Sequence, residues 1–474
     1  MENNYQSTFG MIGLGTMGSN LLQNIADQGY NCSGYDNDIN KVEQLNNLNR
    51  QNIKGFATIN DFVNSLKSPK TIMLLVPAGK IVDIVINELL GVINKGDIII
   101  DGGNSHFIDT ERRSKDLESK GFHFIGMGVS GGEEGARKGP SMMPGGDAQA
   151  YKTIQPILEK IAAKVNGEPT VAYMGNRSAG HFIKMVHNGI EYAIMQLLSE
   201  TYQVLKKGLE LNDEDIHDVF DTWNQGRLQS YLIEITTDIF KYKKPGENHL
   251  LLNDIKDEAK AKGTGKWTSQ AAMDLSVPVP IIDIAVSMRD LSKYKDLRTQ
   301  AATLYPHANN LKYEVDKNDY LNKLEQAFYF AMVSAYAQGM HLLYCANIEY
   351  DYKLNLDLIA KIWRGGCIIR SEFLEDIYRA YKKDPQLEHL FLDDAIHKNL
   401  IESTSGIRSV VSDAVCHGVA LPAYSAALSY FDNFRTKNMP SNLIQAQRDY
   451  FGSHTYELIG EEGVFHTEWK NINL

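Results

Sequence analysis

The stretch Thr8–Asp36, "TFGMIGLGTMGSNLLQNIADQGYNCSGYD", decides the fold. A short apolar run leads into Gly13-Leu14-Gly15-Thr16-Met17-Gly18, after which Leu21, Leu22 and Ile25 recur at helical spacing and a second run ends at Asp36. That order predicts a strand, a glycine turn, a helix and a second strand. The three glycines differ in purpose. Gly13 permits the tight turn, Gly15 lets a pyrophosphate approach the backbone, and Gly18 lets the helix lie close on the strand. The helix opens with N–H groups at Thr16, Met17 and Gly18 that have no partner within it, which makes an anion site. Alone, such a glycine pattern is a common turn; with the strand before it, the helix after it and an acid about twenty residues on, it predicts a dinucleotide site.

Asp36 bears on which dinucleotide. A carboxylate at the end of the second strand accepts hydrogen bonds from both ribose hydroxyls of NAD and repels the 2′-phosphate of NADP. Asn37 and Asp38 follow, and no arginine. NAD is the expected cofactor, with NADP the alternative.

Outward from this unit, further apolar runs end in polar loops: "TIMLLVP" before Ala78, "DIIIDGGNS" through Asn104, and "FHFIGMGVSGG" through Ser130, Gly131 and Gly132. Continuous Ile/Leu/Val strands alternating with helical stretches predict a parallel sheet covered on both faces. Ligands bind beyond the carboxyl ends of such strands, so Val76, Ala78 and Asn104 fall on the cofactor side, with the "VSGG" loop beside them.

From about residue 179 the spacing turns helical, and the chain repeats itself. "HLLLNDI" (His249–Ile255) returns as "HLFLDDAI" (His389–Ile396), Trp223 in "WNQGRLQS" matches Trp363 in "WRGGCIIRS", and "GKWTSQAAMDLSVPVP" parallels "GIRSVVSDAVCHGVALP". Several pieces at nearly one offset predict two tandem helical units. The first copy contains "KAKGTGKW", where the second has "ESTSGIR"; a basic glycine-flanked turn suits a phosphate, although residue types alone favour a solvated loop. A tail rich in Tyr, Phe, Leu and Ile, "NLIQAQRDYFGSHTYELIG", should pack on something. The expected divisions are residues 1–178, 179–434 and 435–474.

At the start of the helical part stands "HFIKMVHNGIEY", His181 to Tyr192. At about 100° per residue it gathers Lys184, His187, Asn188, Glu191 and Tyr192 in one stripe. On its own that stripe reads as a solvated helix face. A lysine and a carboxylate on one face, with a histidine and an amide between them, are also groups of the kind that move protons.

A chain of 474 residues can hold two or three domains. Its net charge of -11 argues against a nucleic-acid partner. Four scattered cysteines suggest neither a zinc site nor a disulfide framework. No segment approaches the length of apolar sequence that crosses a membrane, and the start lacks the pattern of a secretory signal, so a cytoplasmic protein is expected.

Together, "GLGTMG", "DGGNS", "VSGGEEGARKGPSMMPGG", "GHFIKMVHNGIEY", "KGTGKW", "WRGGCIIRS" and "NLIQAQRDYFGSHTYE" closely resemble the 6-phosphogluconate dehydrogenases, the decarboxylating enzymes of the pentose phosphate pathway. The resemblance runs nearly end to end. It implies an α/β Rossmann domain, a large all-α domain built from a tandem duplication, and a C-terminal tail that threads the partner of a homodimer. It also implies oxidation of 6-phosphogluconate with loss of CO2, Lys184 as base and Glu191 as acid. Asn104, Ser130, Gly131, Gly132, His187 and Asn188 would bind the sugar acid, and Tyr192, Lys262, Thr264 and Arg289 its phosphate. Arg448 and His454 would come from the other subunit; no metal is implied. The chain departs from the family's NADP users, which typically show "NRT" at Asp36-Asn37-Asp38 and often a lysine at Pro77; both changes favour NAD. Two other readings stand beside this one: another β-hydroxyacid dehydrogenase, and a non-catalytic dinucleotide-binding protein.

Overall fold

Residues 6–306 and 311–469 are described by a computed structural model. Strands β1 (Phe9–Ile12), β2 (Cys32–Tyr35), β3 (Ile53–Phe56), β4 (Thr71–Leu74), β5 (Ile98–Asp101) and β6 (His123–Ser130) pair in parallel in the order 3-2-1-4-5-6. Successive side chains take opposite faces: Met11, Met73, Ile100 and Ile125 enter one apolar cluster, and Ile12, Ile72, Ile99 and Phe124 the other. A sheet buried on both sides requires such unbroken apolar strands. The connecting helices are α1 (Thr16–Asp27), α2 (Ile39–Asn46), α3 (Ile59–Asn64), α4 (Lys80–Leu90), α5 (Phe107–Ser119) and α6 (Gly132–Lys138). Tyr35, Ile12, Leu74 and Asp101 lie level in the ladder, so the turns that follow them open on one rim.

The parallel sheet expected from the sequence carries one reversal. "SMMPGG" forms β7 (Ser141–Gly146), antiparallel to β6. The connection 131–140 is shorter than the dozen or so residues of a parallel crossover, so the chain turns back on the same edge. Helix α7 (Ala148–Ile161) and a small hairpin of β8 (Lys164–Val165) and β9 (Glu168–Pro169) complete this part.

The helical part is duplicated element by element. In the first copy α8 (Ala179–Gln203) runs on into a π-turn and is followed by α9 (Asp213–Trp223), α10 (Tyr231–Ile239), a 3-10 turn at Leu251–Asp254, α11 (Thr264–Asp274) and α12 (Pro280–Ser292). After α13 (Lys295–Leu304), which has no counterpart, come α14 (Lys317–Tyr350), α15 (Leu356–Trp363), α16 (Phe373–Lys383), a 3-10 turn at Leu390–Leu392, α17 (Asp394–His417) and α18 (Pro422–Phe434). Trp223 and Trp363 close matching helices, and the two "HL" motifs lead into matching 3-10 turns. The copies meet at equivalent positions: the Tyr231 N–H donates to the Arg370 carbonyl and the Glu372 N–H to that of Gln229, each at 3.0 Å. From Ala327 to Met340, α14 is buried on every side, packed against α8 and α17, as befits a helix apolar all round.

Residues Met1–Ala427 form one compact unit and Leu428–Leu474 a second, the latter holding α19 (Ser441–Gly452). Of the expected divisions, the outermost ends lie outside the described residues. Among those described, no helix is long and apolar enough to cross a membrane.

Candidate active site

Helix α8 lies directly on β6, in a register that matches the strand's period of two to a helix step of three. Gly126 faces His181, Gly128 faces Lys184, and Ser130 meets His187. A Cβ at Gly128 would stand 2.4 Å from Lys184 Cβ, so only glycine admits the helix at this depth. The stripe that reads alone as a solvated face is therefore pressed against the sheet, with Lys184 only 6% exposed and His187 fully buried.

The buried polar groups answer one another. Ser130 Oγ is 3.2 Å from His187 Nε2. On the other side of the ring, Nδ1 is 3.1 Å from Asn188 Oδ1 and 3.3 Å from Lys184 Nζ. An Nδ1–H placed there donates to Asn188 and has Lys184 Nζ as a second acceptor, a role only a neutral amine can fill. Burial pushes the Lys184 ammonium below its ordinary pKa, against the opposing pull of Glu191 and Cys367. Burial, and then the Lys184 charge, hold His187 well below the usual imidazole range. Burial raises the Glu191 carboxyl, with Lys184 and Arg289 opposing. The Lys184 amine is thus biased towards its free form and the Glu191 carboxyl towards its protonated form, two turns apart on one helix.

Beyond Glu191, the Arg289 guanidinium stacks 3.6 Å over the Tyr192 ring. Gly265 packs on the same ring, where a Cβ would come within 2.4 Å of it. Thr268 donates to the Met185 carbonyl at 2.8 Å and pins α11 to α8. Thr264 opens α11 and is buried; Lys262 is exposed just before the left-handed Gly263 cap.

After β1 the glycine turn has the shape its sequence implies. Gly13 takes φ +95°, and a Cβ on Gly18 would fall 1.8 Å from the Gly13 carbonyl oxygen. Around Gly15 a Cβ would meet nothing within 4 Å, and α1 starts with no side-chain cap and no acid in its first turn. Its first N–H groups thus face an open, uncapped cradle that fits a dinucleotide pyrophosphate. The Asp36 carboxylate accepts from the Leu14 N–H at 2.8 Å and the Asp38 N–H at 2.9 Å, with Lys41 Nζ at 3.4 Å. Val76 is partly buried and Ala78 exposed after β4. Asn104 is exposed on the loop after β5, where the Asp101 carboxylate accepts from the Gly103 N–H at 3.1 Å and the Ser105 hydroxyl at 2.6 Å. Gly131 and Gly132 both take positive φ at the start of α6.

Within the second unit the buried Asp449 carboxylate organises the tail. It accepts from the Thr455 N–H, the His466 ring, the Thr467 N–H and the Trp469 indole. Burial works against the charge, but these donors hold the carboxyl at about 2. Arg448, its neighbour in sequence, donates to Gln445 at 3.1 Å, and the His454 ring meets Phe451 edge-on. One group of metal-ligating type occurs among the described residues, Glu247, His249 and Asp254, where Lys244 Nζ already pairs with Asp254 at 2.9 Å.

Two family models cover this architecture: the NAD-binding domain of 6-phosphogluconate dehydrogenase matches residues 8–175, and the 6-phosphogluconate dehydrogenase C-terminal domain matches residues 180–469. The chain belongs to the 6-phosphogluconate dehydrogenase family. It is 48% identical to the Bacillus subtilis 6-phosphogluconate dehydrogenase, NADP(+)-dependent, decarboxylating, over 97% of this chain and 98% of that protein. The decarboxylating 6-phosphogluconate dehydrogenase of Escherichia coli is 47% identical over 97% of this chain and 98% of its own length. Among solved structures, the Plasmodium falciparum 6-phosphogluconate dehydrogenase, described in its apo form and with its cofactor NADP+ and its substrate 6-phosphogluconate, superposes with a TM-score of 0.94. That match has 43% identity and covers 98% of this chain and all of that one.

Several residues with no expected role of their own also line this site of the 6-phosphogluconate dehydrogenase fold. Trp363, read only as a marker of the repeat, packs edge-on to His187 at 5.5 Å. The Ile368 N–H donates to Ser130 Oγ at 3.4 Å, and the buried Cys367, its thiol pushed up to about 12 by burial, lies within electrostatic reach of Lys184. The alternating glycines of "IGMGVS" were the available signal, since two glycines on one strand face announce a closely packed partner.

Proposed function

We propose that this chain oxidises 6-phospho-D-gluconate at C3 and removes its carboxylate, giving D-ribulose 5-phosphate and CO2 with reduction of a nicotinamide dinucleotide. The observation that carries the reading is the buried Lys184 amine, biased towards neutrality, on a helix seven residues before a carboxyl biased towards its acid form. When bound, the dinucleotide takes up the hydride that leaves C3. Lys184 accepts the C3 hydroxyl proton, and the alcohol becomes a ketone. The C1–C2 bond then breaks, CO2 departs, and the electron pair passes towards the C3 oxygen as an enolate, which the Lys184 ammonium stabilises. Glu191 donates the proton that the remaining enediol carbon needs. Ser130 and Asn188 hold His187, and through it the Lys184 amine. Arg289, stacked on Tyr192, with Lys262 and Thr264, supplies the charge and hydroxyl suited to a phosphate.

In this proposal NAD is the preferred coenzyme. The support is Asp36, a carboxylate where a 2′-phosphate would sit, and Pro77 in place of a cation. The relatives supply none of it: the Bacillus subtilis enzyme is named for NADP and the Plasmodium falciparum structure for NADP+. Lys41, paired with Asp36, is the cation an NADP phosphate would recruit. We also propose the divisions 1–178, 179–434 and 435–474, and a homodimer in which Arg448 and His454 complete the partner's site.

The test is a steady-state assay of reduced coenzyme with 6-phosphogluconate and NAD or NADP in parallel. Turnover with a higher kcat/KM for NAD is expected, and Asp36→Ala should shift the ratio towards NADP. Absence of turnover contradicts the reaction; a ratio unmoved by Asp36→Ala contradicts the coenzyme argument.

A further inference from the structure

His181 has no role in the chemistry above, yet it occupies the junction of the two halves of the site. It lies one helical turn before Lys184 and is almost wholly buried. Its Nδ1 is 2.7 Å from the Thr110 hydroxyl of α5. Gly126 of β6 makes room for both, since a Cβ there would stand 2.6 Å from Thr110 Cγ2 and 3.0 Å from His181 Nδ1. Burial pushes the imidazole below its ordinary pKa, while the Asp101 charge and the backbone of Asp101 and Gly103 favour a proton on it. The Thr110 hydroxyl also donates to the His106 carbonyl at 3.3 Å, so the ring is linked through it to the point where the Asn104 loop runs into α5. His181 thus joins α5, at the end of the Asn104 loop, to the helix that carries Lys184.

We propose that His181 is a positioning residue: with Thr110, it sets the Asn104 loop at a fixed distance from the Lys184 amine, so that donor carbon, nicotinamide and base are aligned together. The inference rests on the reading of Lys184 as the base. The Asp101 carboxylate braces the loop from beneath, through the Gly103 N–H, the Ser105 hydroxyl and Arg113. His181 is the brace on the helical side. A loop fixed from one side only would keep its fold and its affinity for coenzyme while losing alignment, and misplacement of about 1 Å costs on the order of 100-fold in rate.

The experiment compares wild type, His181→Asn, Thr110→Val and the double variant with 6-phosphogluconate and with the same substrate deuterated at C3. Expected are a kcat lowered by roughly 10- to 100-fold in His181→Asn, a coenzyme KM unchanged, and a larger primary isotope effect as hydride transfer becomes limiting. Thr110→Val, nearly isosteric, should raise the isotope effect in the same direction. The double variant should be no worse than His181→Asn alone. A wild-type isotope effect with wild-type kcat in Thr110→Val, or losses that follow only the folded fraction, overturn the inference even if His181→Asn fails to fold. A wild-type protein that does not oxidise 6-phosphogluconate overturns the functional reading and this inference with it; an active wild type with unaffected variants overturns this inference alone.

Discussion

Lys184 carries an amine that water would keep charged, and the structure withdraws the water. The glycine at 128 decides the depth: with a side chain there the helix would ride higher and the amine would regain solvent. Gly128→Ala should therefore cost about 1–3 kcal/mol of stability from overpacking and lower kcat, measured by denaturant unfolding and steady-state kinetics. Lys184→Met should lower kcat by about 100- to 10,000-fold, the range for loss of a general base, with coenzyme affinity unchanged in a fluorescence titration. Unchanged turnover refutes the base. The residue types of this stripe, and their common face, were legible in "HFIKMVHNGIEY" because helical spacing dictates direction. Its burial was not legible, because depth depends on β6, more than fifty residues earlier in the chain, and on two glycines whose purpose appears only when the helix is laid upon them.

At the scale of elements, the two helical copies keep one scaffold and use one face differently. About 140 residues after Lys184, His187, Asn188 and Glu191 stand Leu324, Ala327, Phe328 and Ala331, all buried. The second copy has turned the polar stripe into core. The repeat was legible through the tryptophans and the two "HL" motifs that recur at nearly one offset, whereas β7 was not, since "SMMPGG" has no alternation of apolar and polar residues to mark a strand. The copies are also tied by a carboxylate: Glu200 of α8 accepts from the Ala423 N–H at 2.9 Å and the Tyr424 N–H at 3.2 Å at the start of α18. Burial raises that carboxyl to about 7, with Gln196 and the two N–H groups opposing. A raised folded value means the folded chain holds the proton more tightly, so the contribution to stability is complete below the unfolded value near 4.5 and is lost as pH rises through about 7. Glu200→Gln should abolish ~3 kcal/mol of that decline, read as a flatter dependence of Tm on pH than in the wild type. An identical dependence in both proteins contradicts the assignment.

For the whole molecule, the proposed exchange of tails makes each site the product of two chains. Mixed dimers of Lys184→Met and Arg448→Ala test this, since each hybrid contains one site with both residues intact. Refolding an equal mixture should restore about a quarter of wild-type activity; no recovery above the separate variants contradicts a shared site. Within the tail, four donors converge on Asp449, an arrangement hidden from sequence because they lie up to twenty residues away without a period. All of these levels serve one claim, that a buried amine is neutral when the sugar acid binds. The direct measurement is an NMR titration of the protein labelled with 13Cε-lysine, with Lys184→Met assigning the resonance. One lysine, absent from the variant, should titrate well below the rest; a Lys184 signal that titrates with the surface lysines contradicts the account.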